Sequence, residues 1–109
     1  MTVYAVHPLG DKTDISSALT YGEVEYINMG YIFADYVREE RPPRGFTSAM
    51  QLAADKFDQG SDYLLIAGDH LQLILMAAIL NETVGDFAVL RFDREAKGYL
   101  PVIISSNTK

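Results

Sequence analysis

The stretch from Tyr63 to Leu80 constrains this chain most. Tyr63 to Ala67 is an unbroken apolar run of strand length. A run without polar alternation belongs to a strand covered on both faces, as in the interior of a parallel sheet. Gly68-Asp69 ends it, and Leu71 to Leu80 is then apolar apart from Gln72. That pattern predicts a helix buried on more than one side, or against a partner. Asn81 and Gly85 supply its stop. A covered strand, a tight turn and a buried helix call for a sheet with helices packed on it.

The remaining segments fit that plan. Val3 to Val6 is a short β-prone run stopped by Pro8 and Gly10, and reads as a second buried strand. Asp14 is placed to cap a helix over Ile15 to Tyr21, ended by Gly22. Glu23 to Met29 and Tyr31 to Val37 predict a hairpin with its turn at Asn28-Met29-Gly30. Pro42-Pro43 breaks regular structure. Thr47 or Ser48 is a candidate cap for a helix to about Asp58, with Met50, Ala53, Ala54 and Phe57 on one face. Phe87 to Asp93 and Tyr99 to Ser105 predict a second hairpin, whose last strand lies at a sheet edge because Pro101 has no N–H. The fold class is α/β, with α+β as the near alternative. It is a mixed β-sheet with two to three packed helices, a C-terminal hairpin, and Val3–Val6 and Tyr63–Ala67 as central strands. Residues 1–105 read as a single domain and 106–109 as a frayed tail.

Composition narrows the functions. The formal charge is −6 over 109 residues, which argues against a phosphate-backbone binder and against an anionic-membrane anchor. No segment reaches the length of a membrane span and no signal peptide is expected, so the expected location is the cytoplasm. Without cysteine there is no disulfide scaffold, cysteine metal site or thiol chemistry. Phosphate-loop and serine-elbow motifs do not occur, and neither a cofactor nor a metal is expected.

Two places remain where chemistry could sit. Gly68-Asp69-His70 follows a buried strand and opens a helix, and ligand sites in open α/β sheets gather at the carboxyl ends of strands. His7 follows the first strand. If the two strands are parallel neighbours, His7, Asp69 and His70 share one edge, as a candidate general base or ligand pocket. The same residues also read as an ordinary helix start, with Asp69 as N-cap and Gln72 reaching back as a capping-box partner.

The second place is a surface. Glu23, Glu25, Tyr26, Tyr31, Tyr36 and Glu39 fall on or beside the first hairpin, and tyrosines beside carboxylates suit a protein interface. Val24 beside Tyr26 allows the plainer reading that part of this set packs in the core. Charge is uneven: residues 1–40 hold seven acidic and two basic side chains, while residues 87–109 hold four basic and two acidic ones. An acidic region and a basic end would attract a basic partner or pair two copies head to tail.

The segments Tyr63 to Leu71, Leu90 to Val102 and Val3 to Pro8 resemble small acidic proteins encoded in tailed-bacteriophage genomes. The resemblance implies a bacterial cytoplasm as the setting and a host or phage protein as the partner. It carries over no catalytic residue. The leading expectation is therefore a non-enzymatic binding protein acting through the acidic, tyrosine-rich surface. The rivals are a small enzyme or ligand binder using His7, Asp69 and His70, and a homo-oligomeric structural protein joined through the apolar helix or the last strand.

Overall fold

A computed structural model describes residues 1–10, 13–28 and 44–105. Strand β1 is Thr2–Ala5, and a 3-10 helix covers Ser16–Tyr21. β2 is Glu23–Tyr26, helix α1 Arg44–Lys56, β3 Tyr63–Leu65 and helix α2 His70–Val84. β4 is Phe87–Asp93 and β5 Gly98–Ile104. The strands form one mixed sheet in the order β2-β1-β3-β4-β5. β1 runs parallel to both β2 and β3, β3 parallel to β4, and β4 antiparallel to β5. This is an α+β arrangement with a C-terminal hairpin, and both apolar runs expected to be central lie in its interior.

Alternation along the strands divides the core in two. On the helix face, Tyr4, Val6, Leu64, Phe87 and Val89 meet Met50, Ala53, Ala54 and Phe57 of α1 and Leu73, Met76 and Leu80 of α2. On the other face, Val3, Ala5, Leu65, Leu90 and Tyr99 pack with Ala18 of the 3-10 helix. Each fully buried aliphatic side chain contributes about 1.5–3 kcal/mol of transfer free energy. Asp62 fastens the amino end of the sheet, accepting from the backbone N–H groups of Thr2 at 2.9 Å and Asp58 at 2.8 Å.

Local chemistry moves several boundaries. The segment after Asp14 is a 3-10 turn rather than an α-helix, and its N-cap is Ile15. Asp14 instead accepts the Ser16 N–H at 2.9 Å, as an Asx turn leading into it. α1 begins at Arg44, directly after the two prolines, so Thr47 and Ser48 lie inside the helix rather than at its cap. α2 runs on to Val84, where Gly85 takes φ +85° and its N–H bonds the Asn81 carbonyl. The strand expected over Tyr63–Ala67 keeps ladder geometry to Leu65, with one further bond from Ile66 N–H to the Leu90 carbonyl. β2 ends at Tyr26, and the expected second strand of the first hairpin, Tyr31–Val37, lies outside the described residues, as does the tail 106–109.

Candidate functional site

Because β1 and β3 are parallel neighbours, the loops leaving their carboxyl ends meet at one edge. From β1 the chain crosses through the 3-10 helix on one face to β2. From β3 it crosses through α2 on the opposite face to β4. The connections thus diverge between β1 and β3, the switch point where open sheets form a crevice. His7 and Asp69 come together there. The Asp69 N–H donates to His7 Nε2 at 2.9 Å, and His7 Nδ1 lies 2.8 Å from the Pro8 carbonyl. A backbone N–H only donates and a carbonyl only accepts, so Nδ1 carries the proton and Nε2 offers the lone pair. The imidazole lone pair is therefore committed to the Asp69 amide.

Gly68 makes this approach geometrically open. It has φ +104°, and a Cβ there would lie 2.8 Å from His7 Nε2. Asp69 is the N-cap of α2, its Oδ2 accepting from the Gln72 N–H at 3.1 Å. His70 is exposed at the first position of the helix and takes no part in these bonds. The carboxyl edge thus joins His7 to Asp69 through backbone and cap, and leaves His70 outside. Among the described residues, no group of three or more histidine and carboxylate side chains is placed to hold a metal ion.

Half of the capping-box expectation fails. Gln72 does not reach back; its Oε1 accepts from Asn28 Nδ2 at 3.2 Å in the core. Gln72 is fully buried and its Nε2 has no hydrogen-bond partner. Sequence reasoning had the Gln72 position but not this partner, because Asn28 lies 44 residues away.

The acidic surface is present in part. Glu23 and Glu25 point to one face of β2 and are exposed, and Glu25 Oε1 meets Lys56 Nζ at 3.1 Å. That pairing raises the Lys56 pKa, chiefly through the hydrogen bond to Glu25. Tyr26 packs with Val24 against the face away from the helices. Tyr31, Tyr36 and Glu39 lie outside the described residues.

A different surface is more prominent. Among the described residues, five of the eleven exposed large apolar side chains belong to the hairpin β4–β5: Phe92, Leu100, Val102, Ile103 and Ile104. Pairing across the hairpin puts Leu100, Val102 and Ile104 on the helix face, with Phe92 and Ile103 on the other. Ile103 is 67% exposed. The continuous apolar run after Pro101 carried that signal, since an edge strand has neither face fully covered.

The hairpin's backbone edge is nevertheless guarded. Leu90 turns its carbonyl toward Ile66, so its partner Pro101 turns its own backbone groups to the free edge, together with Tyr99 and Ile103. Pro101 has no N–H to offer, and the Tyr99 N–H donates to Ser17 Oγ at 3.0 Å.

A family model of the phage Pam3 gp32-like proteins matches residues 1–106. The chain belongs to that family. The match makes this family member a phage protein, and the phage resemblance read from the sequence agrees with it. No curated protein and no solved structure matches. None of the family member's described helices is long and apolar enough to cross a membrane.

Proposed function

We propose that this phage protein works by protein–protein contact, with the hairpin β4–β5 as its working surface. The observation that carries this reading is the run of large apolar side chains exposed on both faces of that hairpin. Contiguous exposed apolar surface marks interaction sites on otherwise well-packed domains. The guarded backbone edge directs the contact to side chains rather than to strand addition. The enzyme or ligand-binder reading has less support, because the His7 lone pair holds the Asp69 amide and Asp69 caps α2. The test is capture from infected-cell lysate by the full chain and by an Ile103→Gln variant, at the most exposed of these side chains. The native chain is expected to retain a stoichiometric protein and the variant to lose it with an unchanged melting temperature. Equal capture by both would overturn the reading.

A further inference from the structure

We infer that the hollow at the amino end of β3 and β4 takes an arginine side chain from a partner protein. This deepens the contact reading by naming the partner's chemistry, and rests on it. The hollow holds about 320 Å³, and every residue lining it is described. Tyr63, Ala88 and Ile103 pair in one row across the sheet, on the face away from the helices. Together with Pro101 they give the hollow an aromatic wall and an apolar floor, and the loop before β3 closes its end.

Asp62 is the deciding residue. It lines the hollow and is only 7% exposed. Its carboxylate accepts the Thr2 and Asp58 backbone N–H groups, and no described lysine or arginine pairs with it. A buried carboxylate is ordinarily matched by a cation. A carboxylate has about four acceptor sites, so lone pairs remain for one. Asp58 stands beside it, bonded to the Gly60 N–H and the Ser61 hydroxyl. The amino terminus is the last of the influences on Asp58. Asp86 is exposed two residues before Ala88, its carbonyl tied to Gln59. The described basic side chains lie elsewhere. Arg94 and Lys97 follow the far end of β4, Arg91 shares the helix face with Leu100, and Lys56 is held by Glu25.

An arginine matches both parts of this site. Its methylene stem packs on Ala88, Pro101 and Ile103. Its guanidinium stacks on the Tyr63 ring, and its fork of donors meets the carboxylate lone pairs. Edge-to-face contact with Tyr21 at 5.4 Å steadies that ring. Lysine has no flat surface to lay on the ring, and a purely apolar side chain would leave Asp62 without a cation.

The experiment is a titration of the isotope-labelled full chain, read by its amide NMR shifts. The probe is N-acetyl-arginine methylamide, compared with its neutral citrulline isostere and with N-acetyl-leucine methylamide. The arginine probe is expected to move the amides of Gly60, Ser61, Tyr63 and Ile103, saturating in the millimolar range. The citrulline probe should leave them in place. Asp58→Asn/Asp86→Asn should keep a native-like spectrum and bind the arginine probe about threefold more weakly, the loss expected of exposed charge pairs. Silent amides in the native chain, equal shifts from citrulline, or a preference for the leucine probe overturn the inference. The contact reading would survive those results wherever Ile103→Gln still loses the captured protein.

Discussion

The Nε2 atom of His7 accepts the backbone N–H of Asp69 at 2.9 Å, across 62 residues of sequence. The bond ties the loop after the first strand to the start of the second long helix. Gly68 stands between them, with φ +104° and room for no Cβ. Gly68→Ala is therefore expected to destabilise the fold by about 1–3 kcal/mol, through a left-handed non-glycine residue and displacement of the imidazole. The midpoint of urea unfolding checks this, and an unchanged midpoint would contradict it.

Asn28 and Gln72 form a buried amide pair with one nitrogen unpartnered. Gln72→Leu alone leaves the Asn28 amide without its acceptor and is expected to cost about 1–3 kcal/mol. Removing both polar groups, Asn28→Leu/Gln72→Leu, should cost less than the sum of the two single changes. A double-mutant cycle measures that coupling, and strict additivity would show that the pair does not act as a unit.

Legibility in the sequence followed the range of the interaction. The strand–turn–helix at Tyr63 to Leu80 was readable because its apolar pattern is local, and so was the edge position of β5, because Pro101 lacks a donor. His7 and Asp69 met as expected once two buried strands were taken as parallel neighbours. Gln72 pairing with Asn28, Lys56 with Glu25, and Ser17 with Tyr99 were not readable. Their partners are 44, 31 and 82 residues distant, and no local pattern marks them. Thr47 and Ser48 have cap chemistry, yet α1 already runs through them from Arg44, because a cap-type side chain is equally compatible with the first turns of a helix.

Acid should weaken the fold in a defined direction. Asp58 has its pKa lowered by the Gly60 N–H first and the Ser61 hydroxyl second. Asp14 is lowered by hydrogen bonds from Ser16. A carboxylate whose pKa is lower folded than unfolded adds stability above its unfolded value, and that stability disappears as pH falls through the folded value. Stability should therefore decline below about pH 4. Asp58→Asn should flatten that decline by lowering stability near pH 7, where the native carboxylate contributes fully, and converging with the native chain in acid. Thermal melts across pH 2 to 7 would show it, and a variant with the native slope would rule out Asp58 as a contributor.

The guard on β5 can be opened. Pro101→Thr restores an outward N–H, and Ser17→Ala releases the one on Tyr99. The double variant is expected to associate through strand pairing, giving salt-resistant aggregates that bind thioflavin T. If it stays as dispersed as the native chain, the two residues do not protect the edge.

The strand order has a consequence for how the chain folds. Of the strands in this sheet β1 comes earliest in the sequence, and it is an interior strand. The β2 partner Glu23 of Thr2 follows it by 21 residues, but the β3 partner Tyr63 of Val3 comes 60 residues later. During synthesis Val3 and Tyr4 must wait for that late neighbour, whereas the β4–β5 hairpin closes within a few residues. Such long-range parallel pairing slows folding. The slow step in refolding should therefore be the insertion of the N-terminal strand between β2 and β3. Shortening the chain at its start would leave a gap in the middle of the sheet rather than trim its edge.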